Sequence, residues 1–108
     1  MNNLFIWVSR HPLTTDQKDL ILDTFFEGKT NIIEYGDINV FKDEDLDQLY
    51  KLASNTNDFV VIGGVHGLLG AFALQNGFSF GAFNNINRAP IGEKPDFHTT
   101  ELKVVYPQ

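Results

Sequence analysis

Apolar and polar residues along this chain fall into short blocks with two different periods. Leu4-Phe5-Ile6-Trp7-Val8 is an unbroken apolar run, the pattern of a buried strand. Pro12 cannot donate a ladder hydrogen bond and pushes His11 away from helical geometry, so that strand stops there. Thr14-Thr15-Asp16-Gln17 then predicts a helix start, with Thr14 as N-cap and Gln17 completing a capping box. Leu20, Ile21 and Phe25 follow at helical spacing, and Gly28 suits the left-handed position after the helix. Residues 31–35 read as a second strand closed by Gly36-Asp37. Asp43 is expected to cap a second helix whose apolar stripe is Leu46, Leu49, Tyr50 and Ala53, and Asn55-Thr56-Asn57-Asp58 is a turn cluster.

The same two periods continue. Phe59-Val60-Val61-Ile62 is a third buried strand, and Gly63-Gly64-Val65-His66-Gly67 is a glycine-rich turn into a third helix ending near Asn76-Gly77. Residues 78–83 read as a fourth strand. Residues 84–97 are polar, carry prolines and are long for a simple connection, which marks them as functional or mobile. Residues 98–106 alternate, with Thr100, Leu102, Val104 and Tyr106 on one side of a final strand. The order βαβαβαββ predicts a single α/β domain over residues 1–108. Its class is a small Rossmann-like, three-layer domain, with a mainly parallel sheet of about five strands and helices on both faces.

This order gives the polar residues between the blocks their meaning. Ser9, Arg10 and His11 fall at the carboxyl end of the first strand, the edge where open α/β sheets bind ligands. Arg is a fork-shaped anion binder, His moves protons near neutral pH, and Ser exchanges hydrogen bonds with phosphate. The alternative is a strand terminus whose polar side chains merely cap the first helix. Gly63, Gly64 and Gly67 lie at a strand-to-helix turn, where glycines let backbone N–H groups approach an anion. Their spacing does not match G-x-G-x-x-G, and no P-loop Lys-Ser/Thr follows, so ordinary dinucleotide or ATP binding has no support. Gly67, Gly70 and Ala71 also fit a helix packed close to the sheet. His66 projects from this turn either as a ligand contact or as a hydrogen-bonded structural residue. Asn84, Asn85 and Arg88 supply amides that can read nucleobase edges and a guanidinium that can hold phosphate, although an Asn-rich stretch is also a turn former. The edge at which His98 falls stays open.

Charge and composition narrow the partners. The net charge is −6, which disfavours duplex nucleic acid, and the acid is concentrated in Glu34, Asp37, Asp43, Glu44, Asp45 and Asp47. Only two arginines are present, Arg10 and Arg88, both beside strand ends, so a small anionic ligand in a local positive pocket remains compatible. No cysteine is present, which excludes disulfides and thiolate metal sites and fits a cytoplasmic protein. No leader-like or membrane-length apolar segment is seen, so no membrane partner is expected. The scattered histidines lack H-E-x-x-H spacing, no G-x-S-x-G elbow occurs, and neither a metal nor another cofactor is expected.

Leu4-Phe5-Ile6-Trp7-Val8-Ser9-Arg10-His11-Pro12-Leu13-Thr14-Thr15-Asp16-Gln17 resembles the opening of the small stand-alone CRISPR-associated ring nucleases. One branch of that family begins with a strand and Ser-Arg-His-Pro; another carries His-x-Leu-Thr-x-x-Gln, matched by His11, Leu13, Thr14 and Gln17. Asp58-Phe59-Val60-Val61-Ile62-Gly63 resembles the strand before their small-residue turn. The chain mixes the two branches, and the Gly-Ala that follows Ser-Arg-His-Pro in the first is missing. The resemblance implies a CARF-like (CRISPR-associated Rossmann) fold, usually a homodimer, and a role in antiviral defence. It implies a cyclic oligoadenylate ligand, chiefly the tetramer, bound across the two-fold axis and cleaved without metal by in-line attack of a ribose 2′-hydroxyl. It also implies Ser9, Arg10 and His11 as the catalytic edge, with Gly63, Gly64 and His66 along the phosphate path. Two other classes are compatible with the residues: a nucleotide-binding sensor or sponge without turnover, and an interaction module of mobile-element origin using the acidic Asp43, Glu44, Asp45 and Asp47.

Overall fold

The computed structural model describes residues 2–25, 29–54, 59–64, 66–87 and 97–107. The elements run β1(Asn2–Trp7), α1(Thr15–Thr24), β2(Lys29–Glu34), α2(Asp43–Ala53), β3(Phe59–Gly63), α3(Gly67–Gln75), β4(Ser79–Asn87) and β5(Phe97–Val105). Five strands form one sheet in the order β2-β1-β3-β4-β5. The first four are parallel, and β5 is antiparallel to β4. The expected Rossmann-like α/β architecture is therefore present.

Helices cover both faces because right-handed crossovers in opposite directions along a sheet must lie on opposite sides. The chain moves from β1 outward to β2 through α1, then back past β1 to β3 and β4 through α2 and α3. On the α2 and α3 face, Leu4, Ile6, Val8, Val60 and Ile62 pack against Leu49, Ala53, Leu69 and Ala73. On the α1 face, Phe5, Trp7 and Val61 pack with Leu13 and Ile21. The two side-chain sets alternate along β1, which explains its unbroken apolar run: both faces of that strand are buried. Among the described residues, no helix is long and apolar enough to cross a membrane.

The local signals act much as their chemistry dictates. Thr14 caps α1: its Oγ1 accepts from the Gln17 N–H at 3.2 Å, and the Gln17 Oε1 accepts from the Thr14 N–H at 2.9 Å. After α3, Gly77 takes a φ of 82°, a left-handed conformation that glycine adopts without a steric cost. Helix α2 departs from expectation. Its N-cap is Lys42 rather than Asp43, without a side-chain cap, and Asp43, Glu44 and Asp45 occupy the first turn. Those carboxylates face the positive end of the helix dipole, and the Asp45 Oδ2 accepts from the Asn39 N–H at 3.0 Å, holding the approach to the helix.

The second departure is larger. Residues 84–87, expected in a loop, continue β4, with Asn84 opposite Glu101, Asn85 opposite Thr99 and Asn87 opposite Phe97. A bulge between Asn84 and Asn85 shifts the register. Because β3 pairs with β4 only from Ser79 to Gly81, the rest of the β4–β5 hairpin projects past the sheet as a two-stranded arm. Polar residues suit such an arm: each backbone is paired across the hairpin, so neither strand needs an apolar face to remain in place. His98 lies on this arm opposite Ile86, at the carboxyl edge of the parallel strands. Gly28, the turn at 55–58, Val65, Arg88 and the remainder of the expected loop through residue 96 lie outside the described residues.

Candidate functional site

Strands β1 and β3 are neighbours, but the chain leaves them in opposite directions, toward β2 and toward β4. At such a switch point the two departing loops separate and leave a crevice at the carboxyl edge, the usual ligand position of this fold class. A cavity of about 510 Å³ occupies that position, within the size range of small-molecule sites. Its aromatic walls come from Trp7, Phe80 and Phe83, and its polar groups from Ser9, His11, Thr14, Gln17 and His66. Among the described residues, no Asp, Glu, Lys or Arg lines it. A second cavity of about 370 Å³ adjoins it, lined by Arg10, Asp37, Ile38 and Val40 among others. Ser9, His11 and His66 belong to both linings and form the ridge between the two cavities.

The turn carrying His11 is held through its main chain. The Trp7 indole N–H donates to the His11 carbonyl at 2.7 Å, and the His11 N–H donates to the Ser9 Oγ at 3.1 Å. Two residues on, the Leu13 N–H donates to the Glu34 Oε1 at the end of β2, at 2.7 Å, and the Leu13 side chain is buried in the α1-face core. Strand, neighbouring strand and helix cap thus each fix one point of the turn. The His11 ring takes no part in these bonds and is left exposed over the cavity.

His66 is the N-cap of α3, its Nδ1 accepting from the Leu68 N–H at 3.2 Å. That bond places the proton of the neutral ring on Nε2, so His66 presents a donor there. The ring also meets Phe41 edge-on, with centroids 6.1 Å apart at 85°.

The glycines divide by position. Gly63 is buried within β3 against the Phe5 ring, and Gly64 lets the turn pass the Val8 carbonyl, 3.1 Å from where a Cβ would stand. Gly70 accommodates Phe80, so it serves the packing of α3 on the sheet, whereas Gly67 opens α3 with nothing within 4 Å of a Cβ position and lines the larger cavity. The structure therefore brings together Ser9, His11, Gly64, His66 and Gly67, sets Arg10 in the adjoining cavity, and holds Gly63 in the core. Asn84 and Asn85 are placed by backbone on the hairpin arm. Trp7, Phe80, Ala82 and Phe83 join the lining without having been singled out, and so do Thr14 and Gln17, which were read as a helix cap and as part of the resemblance but not as site residues. The only advance sign of the β4 contribution was that a parallel strand must end at this same edge. Among the described residues, no group of His, Cys, Asp or Glu is placed to hold a metal ion.

The turn's dependence on Glu34 is measurable. Glu34→Ala leaves the Leu13 N–H without its acceptor and is expected to cost about 1 kcal/mol. Glu34→Gln keeps an acceptor oxygen and should restore most of that. Urea unfolding followed by the emission of Trp7, the chain's single tryptophan, reads both; equal loss in the two variants would count against the clamp.

Fold and cavity together define the class: a Rossmann-like α/β domain with a ligand-sized crevice at its topological switch point. No protein-family model, no curated protein and no solved structure matches this chain.

Proposed function

We propose that this protein is a ring nuclease, opening a cyclic oligoadenylate by in-line attack of a ribose 2′-hydroxyl on the adjacent phosphorus. The observation that carries the reading is the presence of two imidazoles, His11 after β1 and His66 after β3, on one ridge over one cavity. In-line transfer needs a base and an acid on opposite sides of the phosphorus. His11, whose ring is free of the turn's hydrogen bonds, takes the 2′-hydroxyl proton. The O–P bond to the 2′-oxygen forms, the P–O5′ bond breaks, and the leaving 5′-oxygen takes a proton from water, while the His66 Nε2–H, on a ring whose Nδ1 already accepts the Leu68 N–H, donates a hydrogen bond to that oxygen and keeps its proton. The products are a 2′,3′-cyclic phosphate and a 5′-hydroxyl, so the ring becomes a linear chain. Arg10 supplies positive charge beside the ridge, and the Ser9 hydroxyl, whose oxygen accepts from the His11 N–H, still has its proton to donate to a phosphoryl oxygen. Trp7, Phe80 and Phe83 give a nucleobase an apolar wall. Every side chain used here comes from one chain.

The nearest competing reading is a nucleotide sensor that binds without cleaving. It is favoured by the structural duties of two of these residues, since Ser9 Oγ and His66 Nδ1 both hold backbone. Incubation of the purified protein with cyclic tri-, tetra- and hexa-adenylate in EDTA, with products read by mass spectrometry, separates the two. A linear product ending in 2′,3′-cyclic phosphate is expected. A ligand-dependent rise in melting temperature without turnover would give the sensor instead, and neither response would remove the nucleotide from both readings.

A further inference from the structure

The smaller of the two cavities, of about 370 Å³, has a charged lining that the proposed reaction uses only in part. Arg10 and Asp37 both line it, against the apolar Val8, Ile38, Val40 and Leu69. The two charges do not neutralise each other: among the described residues, the one ion pair joins Lys42 to Glu44. Asp37 is also the only carboxylate among the described residues that line either cavity. Beside a phosphate-bearing ligand a carboxylate repels, unless the ligand offers it a hydrogen, because a carboxylate accepts and never donates.

The backbone holds Asp37 in place. The Tyr35 N–H donates to the Trp7 carbonyl at 2.8 Å, so the pairing with β1 runs one residue past β2. Gly36 then turns the chain at a φ of 89°, in the left-handed region that glycine adopts without strain. The Asp37 Oδ1 accepts from the Ile38 N–H at 3.1 Å, which orients the carboxylate and leaves Oδ2 for a ligand. Ile38 and Val40 pack on the α2 and α3 face of the core and anchor the segment. Because β2 lies beside β1, the turn after β2 stands about one strand spacing, ~4.8 Å, from the turn that carries Arg10.

We infer that Asp37 reads ribose: its carboxylate accepts from the 2′-hydroxyl of a ribonucleotide whose phosphate lies on Arg10, which makes the smaller cavity a ribonucleotide subsite. The inference rests on the nucleotide reading above for the class of ligand, but not for turnover. The position argues for the sugar. In dinucleotide-binding α/β domains an acidic residue about 20 positions past the first strand–helix turn takes a ribose 2′-hydroxyl, because phosphate at that turn leaves the sugar beside the next strand. Asp37 follows the Ser9–His11 turn in the same place, just past β2. Those domains hold phosphate on glycine N–H groups; here their glycine fingerprint is missing and a guanidinium stands beside the acid. The ribose that Asp37 reads is not the reacting one, whose 2′-hydroxyl gives its proton to His11. The contact selects RNA over DNA, since the 2′-hydroxyl is the group that differs, and a 2′-deoxy ligand leaves the carboxylate without a donor.

Calorimetric titration of the full chain with AMP and with 2′-deoxy-AMP tests this apart from cleavage, since neither probe carries a phosphodiester. The wild-type protein is expected to bind AMP about ten-fold or more tightly than 2′-deoxy-AMP, the effect of one hydrogen bond to a charged group. Asp37→Ala should erase the difference. Asp37→Asn keeps an acceptor oxygen and should keep part of it. Arg10→Gln should weaken both probes and leave their ratio unchanged. Asp37 and Arg10 are exposed, so the variants should fold, and thermal melts check this. Equal binding of the two probes to the wild type, no binding of AMP, or a preference that survives in Asp37→Ala would each overturn the inference. A preference that depends on Asp37, in a protein that leaves cyclic oligoadenylate intact, would keep the subsite and remove the ring-nuclease reading. Ring opening with a preference indifferent to Asp37 would do the reverse.

Discussion

Replacing His11 with alanine is expected to slow the opening of a cyclic oligoadenylate by about 10²–10⁴-fold, the range for a lost general base, while the protein keeps its stability. The two effects separate because His11 serves the turn only through its main chain, which receives the Trp7 indole N–H and donates to the Ser9 Oγ. Alanine keeps both bonds. His66 needs a different substitution, since its ring caps α3. His66→Ala should lose about 0.5–2 kcal/mol with the cap as well as the rate. His66→Asn supplies one of the best N-cap side chains, so it should recover the melting temperature and leave the rate low. Single-turnover cleavage and thermal unfolding on the three variants decide the matter. If His66→Asn cleaves at the wild-type rate, His66 is a cap and nothing more. If His11→Ala does so, the base lies elsewhere.

The parts of this molecule that were legible in its sequence are those set by neighbours along the chain. The apolar run at residues 59–62, the Thr14–Gln17 box and the stop at Pro12 each declare themselves within a few residues, and Ser9 and His11 inherit their place from the strand just before them. What was not legible depends on partners distant in sequence. Asn84-Asn85-Ile86-Asn87 has the composition of a turn, yet β5 pairs with it and makes it a strand. The clamp from Glu34 to Leu13 spans 21 residues. Phe80, Ala82 and Phe83 reach the cavity only because β4 lies beyond β3 and ends at the same edge, and a strand order cannot be read from hydropathy. The glycines were ambiguous for a similar reason: a glycine needed by a ligand and one needed by a buried ring have the same letter.

Gly63 is where that ambiguity can be settled most sharply. It stands opposite Gly81 in the β3–β4 pairing, and the two leave a flat slot that the Phe5 ring fills. A Cβ at Gly63 would lie 2.6 Å from the Phe5 Cζ and 3.1 Å from the Trp7 Cε3; one at Gly81 would lie 3.2 Å from the Phe5 Cε2. Phe5 has no exposed surface, and its ring is flanked by that of Phe83, with centroids 6.3 Å apart, so it has no open space to move into. Gly63→Ala is therefore expected to destabilise the fold by about 1–3 kcal/mol, the usual cost of overpacking, with Tm falling by roughly 4–8 °C per kcal/mol. Shortening the ring should relieve the clash. Phe5→Leu alone costs stability by leaving a void, but Gly63→Ala added to it should cost little more, since the methyl then occupies space the ring has vacated. Thermal unfolding of the two single variants and the double gives the coupling between the sites. Additive losses would mean that the ring is not what excludes the methyl group. A Gly63→Ala protein as stable as the wild type but unable to bind cyclic oligoadenylate would return this glycine to the ligand.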